Sequence, residues 1–200
     1  MKQHAIKPSF YIYCNGEIAE PTYFKEYKDF LRSRTIVVKY KNFKRLAPWD
    51  LIARVVEEKQ ALESRRKFYE EDGDPCWCVF DVDEYWGQNP DKFKAAIKLA
   101  RENNILLAWS NECFELWYLL HFQVLNTGVP RTDYHTKLER HFRRLGLQPY
   151  TKNCSVFSQI FEKQSEAIKN AKRIYKASKV ERNPSTAVFK LAEEINKHFG

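Results

Sequence analysis

This 200-residue sequence lacks several features that define large classes of proteins. It has no apolar stretch long enough to cross a membrane and no Gly-rich phosphate loop, which argues against a membrane protein and against a Walker-type NTPase. Its Met-Lys-Gln-His start is not followed by the apolar segment of a signal peptide, and no internal repeat is present. We therefore expect a soluble, cytoplasmic protein with no membrane partner, built as one domain with embellishments or one domain plus a small helical lobe.

Cysteines are few and irregularly spaced. The chain has five of them, an odd number, and only Cys76 and Cys78 lie two positions apart. No second Cys or His pair has the spacing of a zinc site. The pattern predicts reduced thiols in or near the core and argues against disulfides or structural zinc.

The excess positive charge is concentrated in one segment. Residues 131–182 contain 13 Lys and Arg against 5 Asp and Glu, whereas the rest of the chain has 21 of each kind. A basic segment suits a polyphosphate partner such as DNA or RNA, although a solvated helical surface would give the same pattern. The residues that we predict to contact nucleic acid are Arg140, Arg143, Arg144, Lys169, Lys172, Arg173 and Lys176.

Segments typical of strands alternate with segments of helical periodicity over residues 9–122. Strands are predicted at 9–14, 36–40, 76–81 and 105–109. Helices are predicted after Pro21, from Pro48, from Pro90 and over 114–120, the last of these capped by Ser110-Asn111. This alternation indicates βαβ units and a parallel sheet.

The composition changes after residues 128–130, a Gly-Val-Pro turn signal. Beyond it, helices are predicted at 132–145, at 163–178 and from Asn183-Pro184-Ser185 to Phe199. We therefore divide the chain into an α/β core at 1–128 and a basic helical extension at 129–200 that packs on the core.

Acidic residues follow three of the predicted strands. The first strand is followed by Glu17 and Glu20, the third ends in Asp81 and is followed by Asp83 and Glu84, and the fourth is followed by Glu112 and Glu115. The carboxyl ends of parallel strands lie at one edge of the sheet, where ligands bind in open α/β folds. Asp81 and Asp83 alternate with Val82, so an extended chain would place both on one side. Such an oxygen-rich cluster predicts a site for Mg²⁺ or Mn²⁺, while the alternatives are a solvated acidic turn and first-turn helix acids.

Four motifs in this order resemble those of the RloB-like family. They lie at residues 14–20, 81–83, 110–122 and 183–186, and together span nearly the whole chain. That family is similar to the Toprim domains of topoisomerases, primases and overcoming-lysogenisation-defect nucleases. The resemblance implies a Toprim-like α/β core and Mg²⁺-dependent phosphodiester chemistry. It also implies a role in bacterial anti-phage or abortive-infection defence, with an AAA-type ATPase as partner.

Carried over from the resemblance, Asp81 and Asp83 match the aspartate pair that holds the metal, with Glu20 as a further ligand. Glu20 and Glu115 match motif glutamates with catalytic roles, and His121 matches a histidine that follows. The first glutamate of the family, expected to act as general acid or base, is replaced here by Asn15. An amide cannot take or give that proton, so the sequence leaves Glu17 as the substitute. Ala19 and Glu112 also depart from the family pattern.

These observations leave several functions open. The first is a metal-dependent nuclease. The second, motivated by Asn15, is a nucleic-acid-binding or regulatory subunit that has lost catalysis. A third is phosphoryl transfer with Asp81 as nucleophile, and a fourth is an interaction module without a phosphate ligand. His4, His135, His141 and His198 receive no role.

Overall fold

The computed structural model describes residues 8–65, 67–68, 74–83, 85–151, 154–175 and 180–199. Its strands are β1 (Phe10–Cys14), β2 (Ile36–Lys39), β3 (Cys76–Asp81), β4 (Ile105–Asn111) and β5 (Ser185–Thr186). They form one five-stranded sheet in the order β2-β1-β3-β4-β5. The first four strands are parallel, and β5 pairs with the end of β4 in the antiparallel direction.

Helices connect and cover these strands. They are α1 (Ala19–Phe30), α2 (Pro48–Ser64), α3 (Tyr85–Gln88), α4 (Pro90–Glu102), α5 (Glu115–Leu120), α6 (Arg131–Arg144), α7 (Phe157–Ile160), α8 (Gln164–Ile174) and α9 (Val188–Phe199). A 3₁₀ turn at Phe161–Lys163 joins α7 to α8. The predicted start of α4 is confirmed, since the Asn89 side chain accepts a hydrogen bond from Lys92 N at 3.0 Å and Pro90 occupies the first turn.

The sheet has an apolar layer on each face. Phe10 and Ile12 of β1 belong to one hydrophobic cluster, and the alternating Tyr11 and Tyr13 belong to the other. The first cluster also contains buried residues of α1, α5, α6, α8 and α9, and the second contains residues of α2 and α4. Residues before and after position 129 therefore share one core, and the domain boundary at 128 stays a prediction.

The α/β class is confirmed, and a mostly parallel sheet flanked by helices is consistent with a Toprim-like core. The five cysteines are free thiols, as predicted; Cys154 is partly exposed and the rest are buried. Over the described part of the chain, no helix has the length and apolar character needed to span a membrane.

Two sequence predictions near the end of β4 are wrong. Ser110 and Asn111 do not cap a helix, because β4 continues through both residues and the next helix begins at Glu115. The last helix begins at Val188 rather than near Pro184, because Ser185 and Thr186 pair with Asn111 and Ser110. The helix predicted at 163–178 is observed over Gln164–Ile174, and Lys176 lies outside the described residues.

Candidate functional site

A cavity of about 390 Å³ lies at the carboxyl edge of the sheet, where β1 and β3 end. Asp81 is the last residue of β3, Glu20 is in the first turn of α1, and Glu115 begins α5. These three carboxylates line the cavity together with Glu17, Arg45 and Arg131. The predicted convergence of acids from separate strand ends is therefore present in the fold.

Glu20 is buried against the turn that follows β1. Its carboxylate accepts hydrogen bonds from its own backbone N–H and from that of Gly16. Gly16 allows this close approach, because a Cβ at this position would overlap the Glu20 carboxylate and force that side chain to move. Burial is the main cause that raises the pKa of Glu20 to about 7, with the Glu115 carboxylate adding to the shift and Arg131 opposing it.

Asp81 and Asp83 share one cation. The guanidinium of Arg131 donates to Asp81 Oδ2 and, at 2.7 Å, to Asp83 Oδ2. Burial is the main cause that raises the pKa of Asp81 well above its ordinary value, and the nearby Glu20 adds to the increase. Arg131 opposes the increase. Burial lowers the pKa of Arg131, but Asp81 and other acidic groups outweigh this effect and raise it overall.

Contrary to the sequence prediction, Asp81 and Asp83 are not adjacent residues on one face of an extended strand. The strand ends at Asp81, and Asp83 lies in a turn with φ of 42°, a left-handed conformation that Asp tolerates better than most residues. The backbone N–H of Asp83 donates to Glu112 O at 3.2 Å, which fixes this turn against the segment after β4. The pair is thus brought together by a turn and a shared arginine rather than by strand alternation.

Glu17 lines the same cavity, but two basic side chains already balance its negative charge. Its carboxylate contacts Lys44 Nζ at 3.2 Å and Arg45 at 2.9 Å. The hydrogen bond from Lys44 is the main cause that lowers its pKa. A carboxylate held in its charged form by two cations is a poor proton donor, and the catalytic part assigned to Glu17 stays a prediction.

Asn15 has a structural role. Its side-chain amide donates to Leu46 O at 2.7 Å and accepts from Leu46 N at 3.0 Å. A carboxylate could accept from that N–H but could not donate to the carbonyl. The amide therefore matches the Leu46 backbone, and Asn15 is absent from the cavity lining.

The structure does not bring His121 to the cavity. The ring is buried, with Nδ1 at 2.9 Å from Trp117 O, and Nε2 has no partner among the described residues. Burial lowers its pKa to about 4, so the ring is neutral at pH 7. The catalytic part assigned to His121 stays a prediction.

The basic residues proposed for nucleic acid lie on α6 and α8 and are exposed, apart from Lys176, which is outside the described residues. Some have acidic neighbours: Arg143 pairs with Glu139 at 2.8 Å and Lys172 with Glu193 at 2.5 Å. Helix α6 begins at the cavity with Arg131 and carries its last basic residues roughly 15–20 Å further along its axis. Their contact with nucleic acid stays a prediction.

The cavity offers carboxylate oxygens, the donors that Mg²⁺ and Mn²⁺ prefer. Within the described residues, no group of three or more His, Cys, Asp or Glu side chains is gathered closely enough to hold a metal ion. Mg²⁺, however, is usually bound by one or two carboxylates and completed by water and substrate phosphate. Asp81 Oδ1 is buried without a partner among these residues, and Glu20 lies near it in the same cavity. The residues therefore fit a cation bound in this way.

Sequence reasoning missed two cations of the site, Arg45 and, although it lies in the basic segment, Arg131. A usable signal was its position as the first residue of a helix, where the helix dipole disfavours positive charge. A cation there requires a local anion, which Asp81 and Asp83 supply.

Comparison with protein families identifies the family of this chain. A family model described as RloB-like protein matches residues 10–195, and the chain belongs to the RloB-like protein family. The match spans the sheet, the carboxylate cavity and both basic helices. A search of curated proteins and a search of solved structures each return no significant match.

Proposed function

We propose that this protein is a Toprim-type nuclease that cleaves DNA or RNA with Mg²⁺ or Mn²⁺, in bacterial anti-phage or abortive-infection defence. The observation that supports this most is the convergence of Glu20, Asp81 and Glu115 from three elements on one cavity. Membership of the RloB-like family supports the same reading.

Asp81 and Glu20 would hold the ion, and Asp83 would join them when Arg131 moves to the substrate. The ion, when bound, would supply Lewis-acid polarisation of the phosphate and stabilise charge on the leaving oxygen. Burial raises the pKa of Glu20 to about 7 in the metal-free cavity, and a bound ion would lower it, so Glu20 would act as a ligand when the ion is present. Arg131 offers paired N–H donors that match a phosphate, and exposed Lys and Arg on α6 and α8 would hold the backbone.

Cleavage assays test this function. Single- and double-stranded DNA and RNA are incubated with the protein and Mn²⁺, and Asp81→Asn is expected to abolish cleavage. The matched control is Asp91→Asn, since Asp91 is an exposed aspartate of α4 that is not part of the cavity lining. Absence of cleavage by the wild-type protein, or equal cleavage by the Asp81 variant, would contradict the proposal.

A second function is a regulatory or nucleic-acid-binding subunit without catalysis, and Asn15 favours it. The side chain at this position is committed to Leu46, so it supplies no proton-transfer group. This function predicts binding that weakens steeply with salt and no turnover in any metal. The AAA-type ATPase partner and the cytoplasmic location stay predictions in both cases.

A further inference from the structure

Among the residues that the structure describes, strand β4 has an open edge along its first half. It pairs with β3 over six positions from Ile105 to Ser110, whereas β5 pairs with it only at Ser110 and Asn111. Within the described residues, positions 105–108 therefore have a strand neighbour on one side only. Such an edge presents backbone N–H and C=O groups that can pair with an added strand.

A groove of about 860 Å³ runs along this edge. It is lined by the consecutive residues 105–107 of β4, by residues of α4, by Lys190 of α9, and by Tyr175, Val180 and Glu181. Because neighbouring residues of a strand point to opposite faces, a groove lined by all three residues of β4 reaches over the edge from one face of the sheet to the other. An extended segment fits this shape, and four residues of it would span roughly 13 Å.

The groove is apolar along its floor. Leu106 is 42% exposed and is one of the few large apolar side chains that are exposed to solvent. Trp77, its register partner on β3, is buried and lines the groove, and its indole N–H has no acceptor among the described residues. An apolar edge of this kind is a typical site for strand addition by a partner.

The rim of the groove is basic. Lys94 and Arg101 of α4 and Lys190 of α9 line it, against a single acid, Glu181, among the described lining residues. Lys94 lies 3.4 Å from Asp91, and Lys190 donates to the hydroxyl of Tyr175 at 2.7 Å. The excess of positive charge favours an acidic occupant.

We propose that this groove binds an extended acidic segment of a partner protein, which adds to β4 as a further strand. Main-chain hydrogen bonds to positions 105–108 give the pairing. Alternate apolar side chains of the segment pack on Leu106 on one face of the sheet, and the acidic side chains between them lie on the other face, where α4 packs. Carboxylates of the segment face the basic rim. This surface is separate from the carboxylate cavity and does not depend on nuclease activity.

Labelled decapeptides of alternating Val-Asp and alternating Ile-Glu are the probes, and fluorescence polarisation is the readout. At least one is expected to bind saturably, and Leu106→Glu is expected to weaken binding about tenfold or more. The matched control is Leu145→Glu, because Leu145 is equally exposed at 43% and lies outside the groove. Likewise, Arg101→Glu should weaken binding and Lys98→Glu, on the same helix but outside the lining, should not.

The backbone contribution is tested separately with a decapeptide of the same sequence, N-methylated at alternate residues, which is expected to lose binding. Circular dichroism confirms that each variant is folded. The proposal is overturned if neither peptide binds, if Leu106→Glu and Leu145→Glu behave alike, or if the N-methylated peptide binds equally well. Displacement of the peptide by AMP, or a dimer in sedimentation that Leu106→Glu dissociates, would assign the groove to a nucleotide or to a second copy and would also overturn it.

Discussion

At the scale of single residues, the site depends on how Asp81, Asp83 and Glu20 share the charge of Arg131. Burial makes ionisation of Asp81 and Glu20 unfavourable, and Arg131 is the cation that opposes this in the structure. A divalent ion would do the same with a larger charge. The arginine and a metal ion therefore satisfy the same electrostatic requirement.

Removing that arginine tests this view. Arg131→Gln leaves two carboxylates without their counter-charge and is expected to lower the free energy of unfolding by about 1–2 kcal/mol at pH 7.5 in EDTA, discounted for partial exposure. Urea unfolding measures this change in the free energy of unfolding. Added Mn²⁺ should recover more stability in the variant than in the wild type. Arg143→Gln, at an exposed pair with Glu139, is the control and should change stability by less than about 0.5 kcal/mol.

Gly16 has a steric role that substitution can isolate. Gly16→Ala places a methyl group where the Glu20 carboxylate lies and is expected to cost about 1–3 kcal/mol of stability. Gly87→Ala is the control, since nothing lies within 4 Å of a Cβ at that position in α3. Thermal unfolding compares the two, and equal melting temperatures would contradict the packing described for Glu20.

The raised pKa of Glu20 predicts a pH dependence of stability. The folded state binds more protons than the unfolded state between the ordinary value of 4.5 and about 7, so stability falls as pH rises through this window. In metal-free buffer, Glu20→Gln is expected to make this loss of unfolding free energy smaller by about 1–3 kcal/mol. Unfolding by urea at a series of pH values measures it. An unchanged slope in the variant would show that Glu20 is not the group responsible.

At the scale of elements, β3 was predictable to the residue because its apolar run is bounded by Pro75 and by acids. Strand β5 was not predictable, because two polar residues are too few to show the alternating pattern of a strand. The continuation of β4 depends on distant partners: Ser110 Oγ lies 2.9 Å from Thr186 Oγ1, and Asn111 Nδ2 donates to Val180 O. Pairings between residues about 70 positions apart leave no local pattern.

The turn after β1 gives the prediction at this scale. Asn15→Asp keeps the shape of the side chain but removes its donor to Leu46 O, and is expected to cost about 1–3 kcal/mol. Asn15→Glu is expected to be destabilised as well and to gain no metal-dependent cleavage. Asn42→Asp, at an exposed turn residue, is the control for the added charge. A stable Asn15→Glu variant with strongly increased cleavage would contradict the structural role of this residue.

At the scale of the whole molecule, the protein combines an acidic cavity at one sheet edge with exposed basic residues on α6 and α8. The acids that meet there were predictable, because parallel strands bring their carboxyl ends to one edge. Arg131 carries only a weak local signal, a cation at the start of a helix, because the acids that it pairs with lie about 50 residues earlier in the chain. Helix packing, rather than any local motif, decides which cation reaches the acids.

Anomalous diffraction from crystals soaked in Mn²⁺ tests the central claim most directly. We expect one peak in the carboxylate cavity, within coordination distance of Asp81 and Glu20, with the Arg131 side chain displaced. Asp81→Asn crystals treated in the same way should lack the peak. A peak at another place, or none while Arg131 stays on both aspartates, would contradict the proposal that these strand ends form a divalent-metal site.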